Sequence, residues 1–449
     1  MLNKYVTAEN SGGTNVFANR DNPSGWETFK LWRVNDTFFN LKVVNKQFVG
    51  KSSQEGNAIA VATIPGDTET FEIIRSPNDP SNVHLKASNG QFLQAKSGSS
   101  VMIDYQGSTD WSDQNPYVFD MTVVSLLPGE KQLQGEYQLT NGYGPENAPQ
   151  VMQNHWKTYI KEDYFEFMSQ NGINAVRIPV GWWIIYDQTP PKPFVGGSLQ
   201  VLDNAFNWVE KHNIKVIIDL HAVPGSQNGH EHSGTRDGSA EWGDSYIEET
   251  VEAIDFLTKR YANKPGLVAM QLMNEPQAQH VPLNTLIKYY QAGYYKVRKY
   301  TSTAYAILSN RLGNAVNTEL LLFARGLSRS VIDVHYYNLF SDEFEQFNVQ
   351  QNIDYIKNQR ASTLEEITQS NGPVTFVGEW VNEFANREPK SKQDYQKFGK
   401  AQLDMYGNAT FGWAYWSYKC IHDHWSLKYM IDKGIIKLKK DQSCACVVL

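Results

Sequence analysis

From about residue 130 onward the chain alternates short apolar runs with amphipathic helical stretches, and this alternation constrains its fold more than any other feature. Apolar runs at 175–180, 215–221, 267–275, 304–309, 331–337, 374–380 and 411–417 suit buried strands. Helical periodicity fills intervals between them at 202–212, 247–261, 283–301 and 395–406. Strands separated by helices pair in parallel, because a parallel neighbour needs a crossover long enough to hold a helix. Seven such strands predict an α/β fold, a (β/α)8 TIM barrel whose first strand is unaccounted for. At 449 residues there is room for that barrel and a second domain.

Residues 1–128 read differently, as short strands separated by Gly, Asn, Asp and Ser with a weak internal repeat. Glu27-Thr-Phe29 recurs as Glu69-Thr-Phe71, and Asn45-Lys-Gln-Phe-Val-Gly50 recurs as Asn89-Gly-Gln-Phe-Leu-Gln94. The stretch Val118-Phe-Asp-Met-Thr-Val-Val124 resembles the strand that follows each earlier Phe. A roughly threefold repeat of about 45 residues in an all-β segment predicts a β-trefoil. This segment resembles the fascin-like β-trefoil family. The expected division is therefore 1–128 for the all-β domain, 129–438 for the barrel and 439–449 for a C-terminal tail.

Composition removes several functional classes. The formal net charge is −7 and the charges are spread, which argues against an electrostatic nucleic-acid binder. Three cysteines, Cys420, Cys444 and Cys446, make no disulfide framework. Neither an apolar leader at the N-terminus nor a run of about 18 apolar residues is visible. Asn35-Asp-Thr37 and Asn408-Ala-Thr410 are glycosylation sequons, relevant only to a secreted chain. Aromatic residues reach 13%, with 12 Trp, and an aromatic excess suits stacking against flat apolar faces, sugars included.

In a (β/α)8 barrel the residues at the C-terminal strand ends share one mouth, where chemistry is done. Those ends offer Arg177, His221, Asn274 with Glu275, His335 with Tyr336 and Tyr337, Glu379 with Trp380, and Trp413 with Trp416. An ionised carboxylate ending an apolar strand is costly unless paired. One Glu alone is explained as readily by a strand cap paired with Arg177 or a helix N-terminus. Two, on the third and sixth visible strands, face each other across the mouth, as glycosidic cleavage requires: one carboxyl protonates the leaving oxygen and the other attacks C1 or activates water.

Leu272-Met-Asn-Glu-Pro276 and Phe376-Val-Gly-Glu-Trp380 resemble the acid/base and nucleophile signatures of glycoside hydrolase family 5. Val176-Arg-Ile-Pro179, Asp219-Leu-His221, Pro224-Gly-Ser-Gln-Asn-Gly229, Asp333-Val-His-Tyr-Tyr337 and Gly412-Trp-Ala-Tyr-Trp416 are similar to its exo-β-1,3-glucanase and β-glucosidase branch, in the plant form that carries a fascin-like domain. The resemblance implies a retaining enzyme without cofactor or metal. It implies Glu275 as acid/base and Glu379 as nucleophile, with Arg177 keeping Glu379 ionised and the acid raised. His335 and Tyr337 would hydrogen-bond around the pair, His221 and Asn274 would hold the sugar, and Trp416 would floor the subsite. Asn228, Trp242 and Phe340 are candidates for an outer subsite. The implied substrate is a β-glucoside or β-glucan, with polysaccharide contact through the trefoil and no nucleic-acid partner.

Three points stay open at this level. The resemblance places a first barrel strand ahead of the trefoil, so either the start is missing from this sequence or residues 133–140 or another segment fill its place. His221, His230, Glu231 and His232 suggest a metal site, but three consecutive loop residues do not converge on one ion. The tail ends Cys446-Val-Val-Leu449, a prenylation-like box with Cys444 and Lys437, Lys439 and Lys440 before it, which conflicts with the secreted, cell-wall location the family implies. A carbohydrate- or actin-binding trefoil protein with an inactive barrel, and an endo-acting cellulase or mannanase, are the competing readings.

Overall fold

The computed structural model describes residues 2–34, 37–53, 56–98, 100–107, 110–112, 115–122, 133–385, 389–438 and 445–449. Its chain divides into two compact units, Met1–Leu133 and Gln134–Leu449. Asn35, Cys444 and the end of the third repeat at Val123 and Val124 lie outside the described residues.

The first unit is all-β, a two-stranded sheet of Tyr5–Ala8 with Val16–Arg20 beside a nine-stranded antiparallel sheet. The sequence repeat is realised atom by atom. Glu27 accepts from the Ser24 amide at 2.7 Å, and Glu69 accepts in the same way from the Gly66 amide at 2.9 Å. Asn45 accepts from the Gln47 amide at 3.0 Å and Asn89 from the Gln91 amide at 3.0 Å, so each repeat turns its hairpin with the same Asx geometry. The two Phe residues of the repeated hairpin strands, Phe48 and Phe92, are both buried.

The second unit is a closed parallel barrel. Its strands are β1 (Ala175–Gly181), β2 (Lys215–Ala222), β3 (Leu267–Gln271), β4 (Tyr305–Ser309), β5 (Ser330–Asn338), β6 (Val374–Phe384), β7 (Gly412–Tyr415) and β8 (Ala445–Val448). All seven strands expected from the sequence form, as do helices Ser198–His212, Ile247–Tyr261, Leu283–Tyr300 and Lys392–Tyr406. Strand alternation sorts the side chains. In β2, Val216, Ile218 and Leu220 face the helical layer, whereas Ile217 joins an interior apolar layer with Ala175, Ala269, Ile307, Val331, Phe376 and Ala414. Further along each strand the inward positions turn polar, with Arg177, Asp219, Gln271 and Asp333 all fully buried.

The eighth strand comes from the far end of the chain. Residues 133–140 do not fill the gap, since helix Gly135–Thr158 begins there. The C-terminal tail fills it instead: β8 pairs in parallel with β7 on one side and with β1 on the other. Ala445 and Val447 pack outward and Cys446 and Val448 inward, all at 0–1% exposure. Asn174 N donates to Ala445 O at 3.0 Å and Leu449 N donates to Arg177 O at 3.0 Å, fastening the strand at both ends. The Cys446 thiol is thereby enclosed in the barrel interior. Among the described residues no helix is long and apolar enough to cross a membrane.

Candidate active site

Arg177 organises the barrel mouth. It projects inward from β1, wholly buried, and each guanidinium nitrogen is used. Nε donates to Gln271 Oε1 at 2.7 Å, Nη1 to Glu379 Oε1 at 2.8 Å, and Nη2 to Asn274 Oδ1 at 2.7 Å, with Asp219 Oδ2 3.1 Å from Nη2. Burial disfavours its charge, but Asp219, Glu379 and Asp333 outweigh that cost and keep it cationic.

Asp333 forms the opposite anchor. Its Oδ2 accepts from Gln271 at 2.7 Å and Ser309 at 3.2 Å and lies 3.0 Å from His335 Nε2, while Oδ1 accepts from the Gly378 amide at 2.9 Å. Only glycine allows that approach, because a Cβ at 378 would lie 2.1 Å from Asp333 Oδ1. Glycine therefore precedes Glu379 for a steric reason.

The two carboxylates meet at His335. Its Nδ1 lies 2.7 Å from Glu275 Oε1 and 3.5 Å from Glu379 Oε2, and one ligand atom from each of the three residues falls within 4.8 Å of the others. Tyr337 donates to Glu379 Oε2 at 2.8 Å, so both Glu379 oxygens accept. Both His335 nitrogens face carboxylates and Arg177 is bonded to Glu379, an arrangement of closed charge pairing in which the nearby guanidinium opposes a bound cation.

Glu275 is not part of β3, which stops at Gln271. It sits beyond the strand at φ +44°, a left-handed conformation that a non-glycine residue keeps at a cost of about 1–3 kcal/mol. Neighbouring bonds impose it. Asn228 Nδ2 donates to Glu275 O at 3.1 Å, Asn274 N to Leu220 O at 3.1 Å, and Leu312 N to Pro276 O at 2.8 Å. Gln227 Nε2 donates to both His221 O and Asn274 O, at 2.8 and 2.7 Å, tying the loop after β2 to the end of β3.

The carboxyls titrate as a pair, in the reverse of the expected order. Burial raises Glu275, but the bond and charge of His335 outweigh it and hold this carboxyl down to about 2. Burial also raises Glu379, where His335 and Arg177 oppose and the Glu275 charge adds, leaving it above the ordinary carboxyl range. His335 approaches Glu275 more closely than Glu379, and that asymmetry decides the direction. His335 itself is raised well above the ordinary imidazole value, because Glu379 and Asp333 outweigh its burial.

The remaining expected residues divide. His221 Nδ1 lies 2.6 Å from Asp219 Oδ2, its Nε2 is 3.4 Å from Asn274 Nδ2, and its ring lies near-parallel to Trp416 at 5.3 Å. Phe340 is 77% exposed and meets Tyr337 edge-on at 5.4 Å, an open position beside the mouth. Asn228 is buried with its amide spent on backbone, which makes it a brace for Glu275. Trp242 does not form an outer clamp: it is 3% exposed, donates to Thr250 Oγ1 at 3.0 Å and packs edge-on against Tyr289. His221, His232 and His230 lie side by side at 5.1 and 5.6 Å.

Sequence reasoning gave no role to Asp219, Gln271 or Asp333, although Asp219 and Asp333 each lie two residues before a strand-end histidine and so point inward with it, while Gln271 ends β3. Trp425, stacked on Tyr337 at 5.9 Å, and His232, 3.6 Å from Glu275 Oε2, come from loops that carry no such period.

Residues 140–420 match the family described as cellulase (glycosyl hydrolase family 5), and residues 1–124 match a domain of unknown function, DUF7910. A glucan 1,3-beta-glucosidase of Schwanniomyces occidentalis is 29% identical over 338 residues, covering 67% of this chain and 78% of the relative. One from Blumeria graminis is 30% identical over 341 residues, covering 67% and 79%. Among solved structures, the rutinosidase from Aspergillus niger is similar in fold, with a TM-score of 0.57 at 17% identity over 67% of this chain and 89% of that one.

Proposed function

The chain belongs to glycosyl hydrolase family 5, and from that premise we propose that it is a retaining β-glucosidase of the exo-β-1,3-glucanase type, with Glu275 as acid/base and Glu379 as nucleophile. The approach of the two carboxylates to within 4.8 Å carries this reading. Retention goes with a carboxyl separation of about 5–5.5 Å and inversion with about 6.5–9.5 Å, and carboxylate oxygens that approach within 4.8 Å support the former.

In the first step a Glu379 oxygen bonds to C1 of the sugar as the C1–O bond breaks, and the Glu275 proton passes to the departing oxygen. In the second, water loses a proton to Glu275, its oxygen bonds to C1, and Glu379 leaves as carboxylate. This sequence needs the proton on Glu275 and Glu379 ionised. His335 supplies the path, since one nitrogen faces both carboxyls at 2.7 and 3.5 Å. Once ionised, Glu379 is held between Arg177 and Tyr337.

Asn274 Oδ1 is taken by Arg177 and one Nδ2 hydrogen faces His221 Nε2 at 3.4 Å, which leaves the other to donate to the sugar, with Trp416 as stacking floor. The N-terminal domain, read as a β-trefoil from its repeated hairpins, serves as a polysaccharide contact.

The test is inactivation by a 2-fluoro β-glucoside with an activated leaving group, followed by peptide mapping. Stoichiometric label on Glu379 is expected, and Glu379→Gln should lose at least about 10³-fold in turnover of aryl β-glucosides. Label on another residue, or undiminished turnover by the variant, sinks the assignment.

A further inference from the structure

We propose that Glu383 is a positioning residue for the nucleophile: through His424 it holds Trp425 against Tyr337, and Trp425 keeps the Tyr337 hydroxyl aimed at Glu379. This rests on reading Glu379 as the nucleophile. Glu383 lies further along β6 than Glu379, and no step of the reaction touches it. Its Oε1 accepts from Lys390 Nζ at 2.5 Å and from Tyr395 Oη at 3.0 Å, and its Oε2 lies 2.8 Å from His424 Nδ1. Burial raises this carboxyl, but the bonds from Lys390 and His424 outweigh it and hold Glu383 below the ordinary carboxyl range. An ionised carboxylate can only accept, so His424 Nδ1 carries the proton of their bond.

His424 is held on its other sides as well. Its ring packs on Tyr395 with centroids 3.7 Å apart. Tyr415 Oη donates to His424 O while accepting from the Asn382 amide at 3.0 Å, and Ser417 N donates to Trp425 O at 2.7 Å. The turn that carries Trp425 is thus fastened to β6 through the Glu383 side chain and to the end of β7 through its backbone.

Trp425 follows His424 directly, and its ring lies near-parallel to Tyr337 at 5.9 Å with a 23° interplanar angle. Arg360 Nη2 donates to Tyr337 O at 2.9 Å, which fixes the backbone and leaves the ring to be held by its neighbours. Phe340 meets that ring edge-on and is itself exposed, so Trp425 is the firmer support. The hydroxyl sits at the far end of the Tyr337 side chain, where a small rotation of the ring displaces it most. An O–H···O bond weakens steeply with misalignment. With Tyr337 displaced, Glu379 keeps Arg177 on Oε1 and loses the donor at 2.8 Å on Oε2.

The experiment measures kcat/KM for 2,4-dinitrophenyl β-glucoside in a double-mutant cycle. Trp425→Ala and Glu383→Ala should each lower it roughly tenfold in the parent, and by less than about twofold in Tyr337→Phe, which has no hydroxyl left to aim. Trp425→Phe, which keeps a ring face for Tyr337, should recover most of the loss, and Glu383→Gln, which keeps an acceptor for His424, part of it. Losses that multiply with that of Tyr337→Phe, or parent-like turnover by Glu383→Ala, overturn the proposal. Where Glu383→Ala does not fold, Trp425→Ala in the same cycle decides, and matching thermal unfolding of the parent and Glu383→Gln separates a local effect from misfolding. A parent chain that turns over no aryl β-glucoside and takes no 2-fluoro label refutes the glycosidase reading on which this role rests.

Discussion

Replacing Cys446 by Asp tests whether the tail is a barrel strand. Cys446 is fully buried, opposite Ala175 of β1 and Ala414 of β7, in an interior layer otherwise made of Ile217, Ala269, Ile307, Val331, Phe376 and Val448. A carboxylate there has neither water nor a cation in its layer, because Arg177 is committed to Gln271, Asn274, Glu379 and Asp219 in the polar layer. An uncompensated buried charge costs about 3–5 kcal/mol, a large part of the 5–15 kcal/mol that holds a typical domain folded. Cys446→Ala, which removes one sulfur from the same layer, should cost about 1 kcal/mol. At an exposed tail position either change would stay within about 0.5 kcal/mol. Urea unfolding followed by tryptophan fluorescence gives the midpoints, and maleimide labelling of the native parent gives an independent readout, since Cys446 should react only on unfolding. A Cys446→Asp midpoint like that of the parent, or rapid native labelling of Cys446, would refute β8 as a barrel element.

Two further outcomes follow from the buried ionisable groups. His335 is raised above 6.5 partly by Asp333, so Asp333→Asn should let it lose its proton at lower pH and move the basic limb of kcat/KM down by about one unit; an unmoved or higher limb contradicts the proton path through His335. Burial raises Glu136 from 4.5 to about 7, with donation from Trp183 Nε1 opposing. A group raised on folding stabilises the native state fully below its unfolded value and loses that contribution as pH climbs through about 7. Glu136→Gln keeps the acceptor for Trp183, so it should match the parent in urea at pH 4 and exceed it by about 3 kcal/mol at pH 8; equal stability at pH 8 would show that the carboxyl is not desolvated.

Most of the barrel and the identity of its two carboxylates are legible in the chain because both are local matters. Side chains of the extended stretch Lys215–Ala222 point to opposite faces with period two, and that period aims Ile217, Asp219 and His221 at one interior. The same period would have found Asp333 beneath His335 and Arg177 above Ala175. Glu379 follows Gly378 because the strand must pass close to Asp333, so this motif carries its own steric explanation. Trp242 misled because an aromatic in a loop reads alike whether it faces a sugar or fills the gap against Tyr289.

By itself the sequence determined that short strands alternate with helices after residue 130, that two glutamates lie at the ends of the third and sixth apolar runs, and that a repeated segment builds the first domain. Only the tertiary structure decided which segment closes the barrel, because four short residues at the C-terminus have no strand signature until β1 and β7 offer them two open edges. It also decided the electrostatic order of the carboxylates, since the distances from His335, 2.7 and 3.5 Å, arise from strands far apart in the chain. Pairing and charge coupling depend on separation in space, and separation in space is set by the closed barrel.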